Sequence, residues 1–106
     1  ALLEHGLRSA LDLGCGTGRH VVHMSQMGLQ VTGLDNAPTA LKLTGAWLKE
    51  EGLAAGLVLS DMRNPLPFAD QSFDAVLSTQ VIHHARLNTV IEIAKEIDRI
   101  TRIHVS

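Results

Sequence analysis

The sequence predicts an α/β protein in which helices cover both faces of a mostly parallel sheet, giving three layers. Strand-like and helix-like segments alternate along the 106 residues, a pattern typical of βαβ units. Three glycines, Gly14, Gly16 and Gly18, form the turn between the first strand and the first helix. Because parallel strands are joined by right-handed crossovers, we predict the strand order 3-2-1-4, to which a fifth strand could add outside strand 4.

The first strand is predicted at 10–13, where the residues are mainly apolar. The first helix is predicted at 18–27, because apolar residues recur there at helical spacing and Gly28 is well placed to end it. The second strand, at 30–34, contains two consecutive β-branched residues, which favour extended structure. These elements form the first βαβ unit.

The second helix begins at Pro38, because proline is favoured in a first helical turn, and ends before Gly52. Ala37, the residue before that proline, offers the helix no side-chain cap. A third strand is predicted at 57–60. The loop after it contains two prolines, which exclude a regular element there.

The fourth strand, at 73–78, is almost entirely apolar, as expected of a strand covered on both faces. The last helix is predicted at 88–102. Phe68 and Phe73 are expected to pack together across the turn between them. In the first helix the residues at helical spacing are Val21, Met24, Ser25 and Gly28. The residues expected on the buried faces of the other two helices are Leu41, Thr44, Trp47 and Leu48, and then Val90, Ile93, Ala94, Ile97 and Ile100.

The composition is 45% hydrophobic and 19% charged, which is typical of a globular domain. With 9 basic and 11 acidic residues and no basic cluster, the chain gives no strong nucleic-acid signal. Its apolar runs are too short to span a membrane. The single cysteine, Cys15, cannot form an internal disulfide, which favours a reducing, cytoplasmic location.

The chain begins with alanine and stops at 103–106, where a fifth strand could start. We therefore expect residues 1–106 to form one domain that is a partial core, with one sheet edge open. An open edge can pair with a second copy, so a homodimer is one expected assembly.

The glycine turn and Asp35 predict a nucleotide-type pocket. Asp35 ends the second strand, beside the glycine turn, where a carboxylate can accept hydrogen bonds from both ribose hydroxyls. The alternative is that Asp35 only completes the strand-to-helix turn with Asn36. Nicotinamide dinucleotides and S-adenosylmethionine both suit this geometry. In the dinucleotide fingerprint a third glycine would occupy the position of Arg19, which counts against that ligand.

Four motifs in order resemble those of the class I S-adenosylmethionine-dependent methyltransferases: LDLGCGTG, VTGLD, the Ser60-Asp61-Met62 step and LPFADQSFDAVLSTQVIHH with the helix after it. The resemblance implies a Rossmann-like fold, truncated after strand 4 or 5 relative to the family's seven strands. It also implies methyl transfer from S-adenosylmethionine to an unidentified acceptor, a small molecule or RNA. The chain departs from the family where TRIHVS replaces the usual proline-glycine-glycine turn.

Carried over residue by residue, the resemblance places Asp12 near the amino group of the cofactor, Asp35 on the ribose and Asp61 on the adenine amino group. Met62 would pack on the adenine ring, and Thr79, with Gln80, would border the sulfonium and the acceptor site. The alternatives are a capping role before the loop for Asp61 and an ordinary core position for Met62. The residues expected to bind the cofactor are Asp12, Gly14, Cys15, Gly16, Gly18, Asp35, Asn36, Asp61, Met62 and Thr79.

No catalytic residue and no metal site are predicted. His83 and His84 are adjacent, so their side chains do not face the same way and are not expected to share a metal. Cys15 is expected to be a small buried residue rather than a nucleophile. Two other functions stay open: an NAD(P)-dependent oxidoreductase domain, and a non-catalytic cofactor-binding or scaffolding module.

Overall fold

The structure, a computed structural model, describes residues 6–61, 65–78 and 87–102. Its elements are β1 (Ser9–Leu13), α1 (Arg19–Gln26), β2 (Gln30–Asp35), α2 (Pro38–Glu50), β3 (Gly56–Leu59), β4 (Ala75–Leu77) and α3 (Leu87–Ile100). The four strands are parallel and lie in the order β3-β2-β1-β4. The predicted fold class and strand order are confirmed. The fifth strand expected at 103–106 lies outside the described residues.

The side chains of β1 divide the core into two halves, because successive residues of a strand point to opposite faces. Leu11 and Leu13 pack in a cluster that includes Ile93 and Ile100 of α3. Ala10 packs in a second cluster, with buried residues of α1 and α2 such as Val21. The sheet therefore lies between α3 on one face and the two other helices on the opposite face.

β4 is shorter than the predicted strand at 73–78. The amide of Phe73 donates to Ile100 O at 3.0 Å, and Phe73 O accepts from the amide of Arg102 at 2.7 Å. Phe73 therefore bridges Thr101 rather than β1, and the pairing with β1 starts at Ala75. The early start predicted for this strand was wrong because its backbone groups bond to the segment after α3.

The helix ends follow the predicted signals. Gly28, at φ 90°, comes directly after the last turn of α1. Pro38 opens α2 after Ala37, which makes no side-chain cap, as predicted. In α3 the expected burial of Ala94 was wrong: Ala94 is exposed, because the contact strip of this helix runs through Ile93, Ile97 and Ile100. Among the described residues, no helix is long and apolar enough to cross a membrane.

Asp74 connects the N-terminal ends of β1 and β4. Its buried carboxylate accepts from the amides of Arg8, at 2.8 Å, and Ser9, at 3.1 Å. The Arg8 amide contributes most to lowering the pKa of Asp74, because it stabilises the ionised form. This contact fixes the starts of β1 and β4 relative to each other, and so the register of their other ends.

Arg99 of α3 holds the loop before β4. Its guanidinium donates to Phe68 O at 2.7 Å and to Leu66 O at 3.1 Å, and it pairs with Glu96 at 2.8 Å. Glu96 in turn accepts from the Leu66 amide at 2.8 Å. The rings of Phe68 and Phe73 pack edge to face with centroids 4.9 Å apart, as predicted. The loop is thus fixed by both polar and aromatic contacts.

Replacing Arg99 by alanine is expected to lower the melting temperature by several degrees, because two loop carbonyls and Glu96 lose their partner. Arg99→Lys is expected to restore less than half of the loss, since an ammonium cannot reproduce the planar fork. Lys95→Ala is the matched control, because the Lys95–Glu92 pair is exposed, with both side chains 69% accessible. Differential scanning fluorimetry measures all three. Equal shifts for the Arg99 and Lys95 variants would contradict this account.

Candidate functional site

The glycine turn follows β1 and is bound to the end of β2. Gly14 N and Cys15 N both donate to Leu34 O, at 2.8 and 3.0 Å, and Gly18 N donates to Cys15 O at 3.1 Å. Gly14, Gly16 and Gly18 all have positive φ, at 78°, 56° and 96°. The turn therefore lies at the carboxyl end of the central strands, where ligands bind in open α/β sheets.

Asp35 connects the glycine turn to the start of α2. One carboxylate oxygen accepts from the Gly16 amide at 2.8 Å, and the other accepts from the Ala37 amide at 2.9 Å. The alternative from the sequence, a role in the strand-to-helix turn, is therefore present in the structure. Each oxygen can accept a further bond, so the ribose role of this half-buried residue stays a prediction.

Asp12 is the least satisfied polar group of the site. It is 0% exposed, and neither of its carboxylate oxygens has a hydrogen-bond partner within the residues that the structure describes. Burial raises its pKa above the ordinary value of 3.8; nearby His20 lowers the pKa and Asp35 raises it. A buried carboxylate without a partner fits a cationic ligand group, because such a group would supply the missing charge and donors.

Cys15 lies beneath the turn against β2. A Cβ on Gly33 would meet Cys15 Sγ at 3.1 Å, so this strand glycine leaves room for the thiol. Burial, followed by the charges of Asp35 and Asp12, raises the pKa of Cys15 to about 11. The thiol is therefore protonated near neutral pH, which agrees with a packing role and not with a nucleophile.

Thr44 of α2 supports the turn from the other side. Its hydroxyl is within hydrogen-bond distance of Gly16 O, at 3.1 Å, and of Ala40 O, at 2.9 Å. A Cβ on Gly18 would lie 2.6 Å from Thr44 Cγ2. We predicted from the sequence that Thr44 is buried, and this is confirmed, but its contact with the turn was missed. The only available signal was a hydroxyl residue on a helix face that is otherwise mostly apolar.

The remaining predicted residues lie in different parts of the chain. Asn36 is exposed beside Asp35, and Asp61 is half-buried two residues after β3, at the same edge of the sheet as the glycine turn. Met62, Thr79, Gln80, His83 and His84 lie outside the described residues. Within the part of the chain that the structure covers, no group of three His, Cys, Asp or Glu residues could hold a metal ion.

A groove of about 410 Å³ lies on the outer side of α1 and α2. It is lined by Arg19, His20, Val22, His23, Gln26, Trp47 and Glu51. None of Asp12, Asp35 and Asp61 lines this groove, so it is distinct from the carboxylates at the sheet edge.

Fold and site together define a parallel-sheet α/β protein with a glycine turn and acidic residues at the carboxyl ends of its strands. A family model described as "Methyltransferase domain" matches residues 11–104. The chain belongs to this methyltransferase family, and the resemblance seen in its motifs is confirmed.

Individual relatives agree with this assignment. The chain is 33% identical over 92 residues to an uncharacterized methyltransferase, YodH, of Bacillus subtilis, an alignment that covers 87% of this chain and 38% of that protein. It is 36% identical over 83 residues to the ubiquinone biosynthesis O-methyltransferase of Cereibacter sphaeroides, covering 74% of this chain and 31% of that protein. The chain therefore spans about a third of the length of these curated relatives.

Solved structures share the fold. A SAM-dependent methyltransferase from Methanosarcina mazei superposes with a TM-score of 0.79 and 26% sequence identity. The superposition covers 95% of this chain and 52% of that one. The strands and helices described above thus correspond to about half of that solved chain.

Proposed function

We propose that this chain is the cofactor-binding core of an enzyme that transfers a methyl group from S-adenosylmethionine to an unidentified acceptor, a small molecule or RNA. The observation that carries the proposal is the buried carboxylate of Asp12 beside the glycine turn, which has no hydrogen-bond partner among the described residues. The family assignment supports it, because relatives across the matched region are named methyltransferases.

In this proposal the acidic residues divide the cofactor between them. Asp12 binds the ammonium of the methionine portion, Asp35 the ribose hydroxyls and Asp61 the adenine amino group. The backbone of the turn 14–18 lies against the methionine portion, and Asn36 lies beside the ribose. Met62 packs on adenine, and Thr79 borders the methyl group. A carboxylate suits each of the first three groups, because all of them are hydrogen-bond donors.

The chain contributes binding and orientation to the reaction. When bound, S-adenosylmethionine supplies a methyl group on a cationic sulfur that leaves as a neutral thioether. Asp12 and Asp35 add negative charge near this sulfur, which favours the cationic form of the ligand. Fixing the methyl group in line with the acceptor supplies most of the rate enhancement, because the leaving group is already activated. The proposal assigns no general base.

The two other functions from the sequence are less well supported. An NAD(P)-dependent oxidoreductase would need room for a pyrophosphate, and Arg19 is the first residue of α1, where the fingerprint has a glycine. A non-catalytic module would bind the cofactor and transfer nothing. Incubation with methyl-labelled S-adenosylmethionine and candidate acceptors separates this module from an enzyme, since only the enzyme releases S-adenosylhomocysteine.

The assembly and location of the protein belong to the same proposal. β3 ends the sheet on one side, and its residues GLVL carry no charge that would oppose pairing with another strand. We propose a homodimer through this edge, in the cytoplasm. Sedimentation velocity distinguishes the dimer from a monomer.

Titration with S-adenosylhomocysteine tests the proposed cofactor. Asp35→Ala is expected to raise the Kd at least about tenfold, because the ribose loses an acceptor and the Gly16 amide loses its contact with the Asp35 carboxylate. Glu92→Ala is the control, since this residue is exposed on α3 and pairs with the exposed Lys95. NADH titrated in parallel is expected to give no heat. Wild-type protein that binds NADH and ignores S-adenosylhomocysteine would overturn the proposal.

A further inference from the structure

Resting on the proposed function, we infer that Thr44 is a positioning residue. Its hydroxyl holds the Gly16–Thr17 peptide in an orientation that leaves the Thr17 N–H free. This N–H can then bind the carboxylate of the cofactor's methionine portion. The inference starts from the hydrogen bonds of the turn. The amides of Gly14, Cys15, Gly16 and Gly18 all donate to acceptors within the protein. The amide of Thr17 has no acceptor within the residues that the structure describes.

The carbonyl of the same peptide depends on Thr44. Gly16 O lies 3.1 Å from Thr44 Oγ1, and no other donor contacts it within the described part of the chain. The hydroxyl also lies 2.9 Å from Ala40 O. In an α-helix, Ala40 O has a second donor, because it accepts from the amide of Thr44, four residues later. Removing the hydroxyl therefore affects Gly16 O far more than Ala40 O.

The geometry of the Gly16–Thr17 peptide links the Thr44 hydroxyl to the direction of the Thr17 N–H. The bond between Gly16 and Thr17 is trans, so its C=O and its N–H point in opposite directions. Because the carbonyl points to Thr44 beneath the turn, the Thr17 N–H points away from α2. Thr44 is itself 0% exposed and packs against Gly18, so its position is fixed by α2.

The chemistry of this donor matches a carboxylate. Thr17 lies two residues before Arg19, the first residue of α1, and the dipole of this helix favours negative charge at its N-terminal end. The buried carboxylate of Asp12 provides the opposite charge for an ammonium. An amino acid carries both groups on one carbon, so the two sites together would recognise the zwitterionic end of S-adenosylmethionine.

The test compares two variants of Thr44 with two ligands by calorimetry. Thr44→Val keeps the shape and removes the hydroxyl, whereas Thr44→Ser keeps the hydroxyl and removes the methyl group. The ligands are S-adenosylmethionine and its decarboxylated form, which keeps the amine. For S-adenosylmethionine, Thr44→Val is expected to raise the Kd about tenfold and Thr44→Ser less than about threefold. Thr44→Val also removes the hydrogen bond between the Thr44 and Cys15 side chains, a structural change that would weaken both ligands alike. For the decarboxylated ligand, Thr44→Val is expected to change the Kd less than about twofold, because the contact with the carboxylate is already missing.

A second measurement on the wild-type chain needs no substitution. S-adenosylmethionine is expected to slow hydrogen exchange at the Thr17 amide, and the decarboxylated ligand is expected to leave it fast. Equal weakening of both ligands by Thr44→Val would show a merely structural role and overturn the inference, as would protection of Thr17 by both ligands. Wild-type protein that binds neither ligand would instead refute the proposed function, so the two failures are distinguishable.

Discussion

Asp12→Asn is expected to raise the free energy of unfolding of the ligand-free chain by about 1 kcal/mol at pH 8 while weakening S-adenosylhomocysteine binding about 100-fold. The stability gain follows because the substitution removes a buried charge that has no partner among the described residues and that lies near Asp35. The loss of affinity follows because an amide cannot neutralise an ammonium. Urea denaturation and calorimetry measure the two effects.

Glu92→Gln serves as the control for Asp12→Asn, because it removes an exposed carboxylate of α3. This control is expected to change neither quantity by more than about 0.5 kcal/mol. An Asp12→Asn variant that is less stable than wild type and still binds with full affinity would show that the carboxylate serves the fold rather than the ligand.

The pH dependence of the two quantities is expected to have opposite signs. Because burial raises the pKa of Asp12 above 3.8, the folded chain binds this proton more tightly than the unfolded chain. The contribution of Asp12 to stability is therefore lost as the pH rises from 3.8 through its folded-state pKa. Ligand affinity increases over the same window, since the ammonium needs the ionised carboxylate. Asp12→Asn is expected to flatten both profiles.

Gly18→Ala is expected to destabilise the chain by about 3 kcal/mol or more. Two effects add: the φ of 96° disfavours any side chain, and the new Cβ would lie 2.6 Å from Thr44 Cγ2. Gly52→Ala isolates the first effect, because Gly52 has a φ of 66° and nothing within 4 Å of the Cβ position. We expect this control to lose only about 1 kcal/mol.

A double variant separates the clash from the backbone strain in Gly18→Ala. Adding Thr44→Ala removes the atoms that the new methyl group meets, so Gly18→Ala is expected to cost less in that background than in the wild type. Chemical denaturation of the four proteins gives the coupling energy. Additive losses, or equal losses for the Gly18 and Gly52 variants, would contradict the close contact between Gly18 and Thr44.

The sequence predicts well those features that depend on neighbouring residues. The glycine turn and the signals at Gly28 and Pro38 follow from short-range patterns, and the structure confirms them. The strand order follows instead from the general rule of right-handed crossovers, and it is also confirmed. Contacts between distant residues could not be predicted in this way. The late start of β4 depends on hydrogen bonds of Phe73 with Ile100, the last residue of α3, and with Arg102 beyond it.

The same limit applies to the candidate site. The sequence identifies the glycines and acidic residues, because their spacing is regular. It relates the three glycines to a nucleotide-type pocket, whereas the structure gives Gly18 a further reason, its packing against Thr44. Thr44 lies 28 residues from Gly16 in the chain, and only the packing of α2 beside α1 brings it to the glycine turn.

The attachment of the glycine turn at two points has a thermodynamic consequence. Leu34 O and Asp35 hold it from the sheet, and Thr44 holds it from α2, so its shape is set before any molecule arrives. Complex formation then requires little ordering of these five residues, and their backbone is expected to move less than about 1 Å between the free and occupied states. A rigid receptor of this kind discriminates by fit, since it does not reshape itself around molecules that lack one of the matching groups.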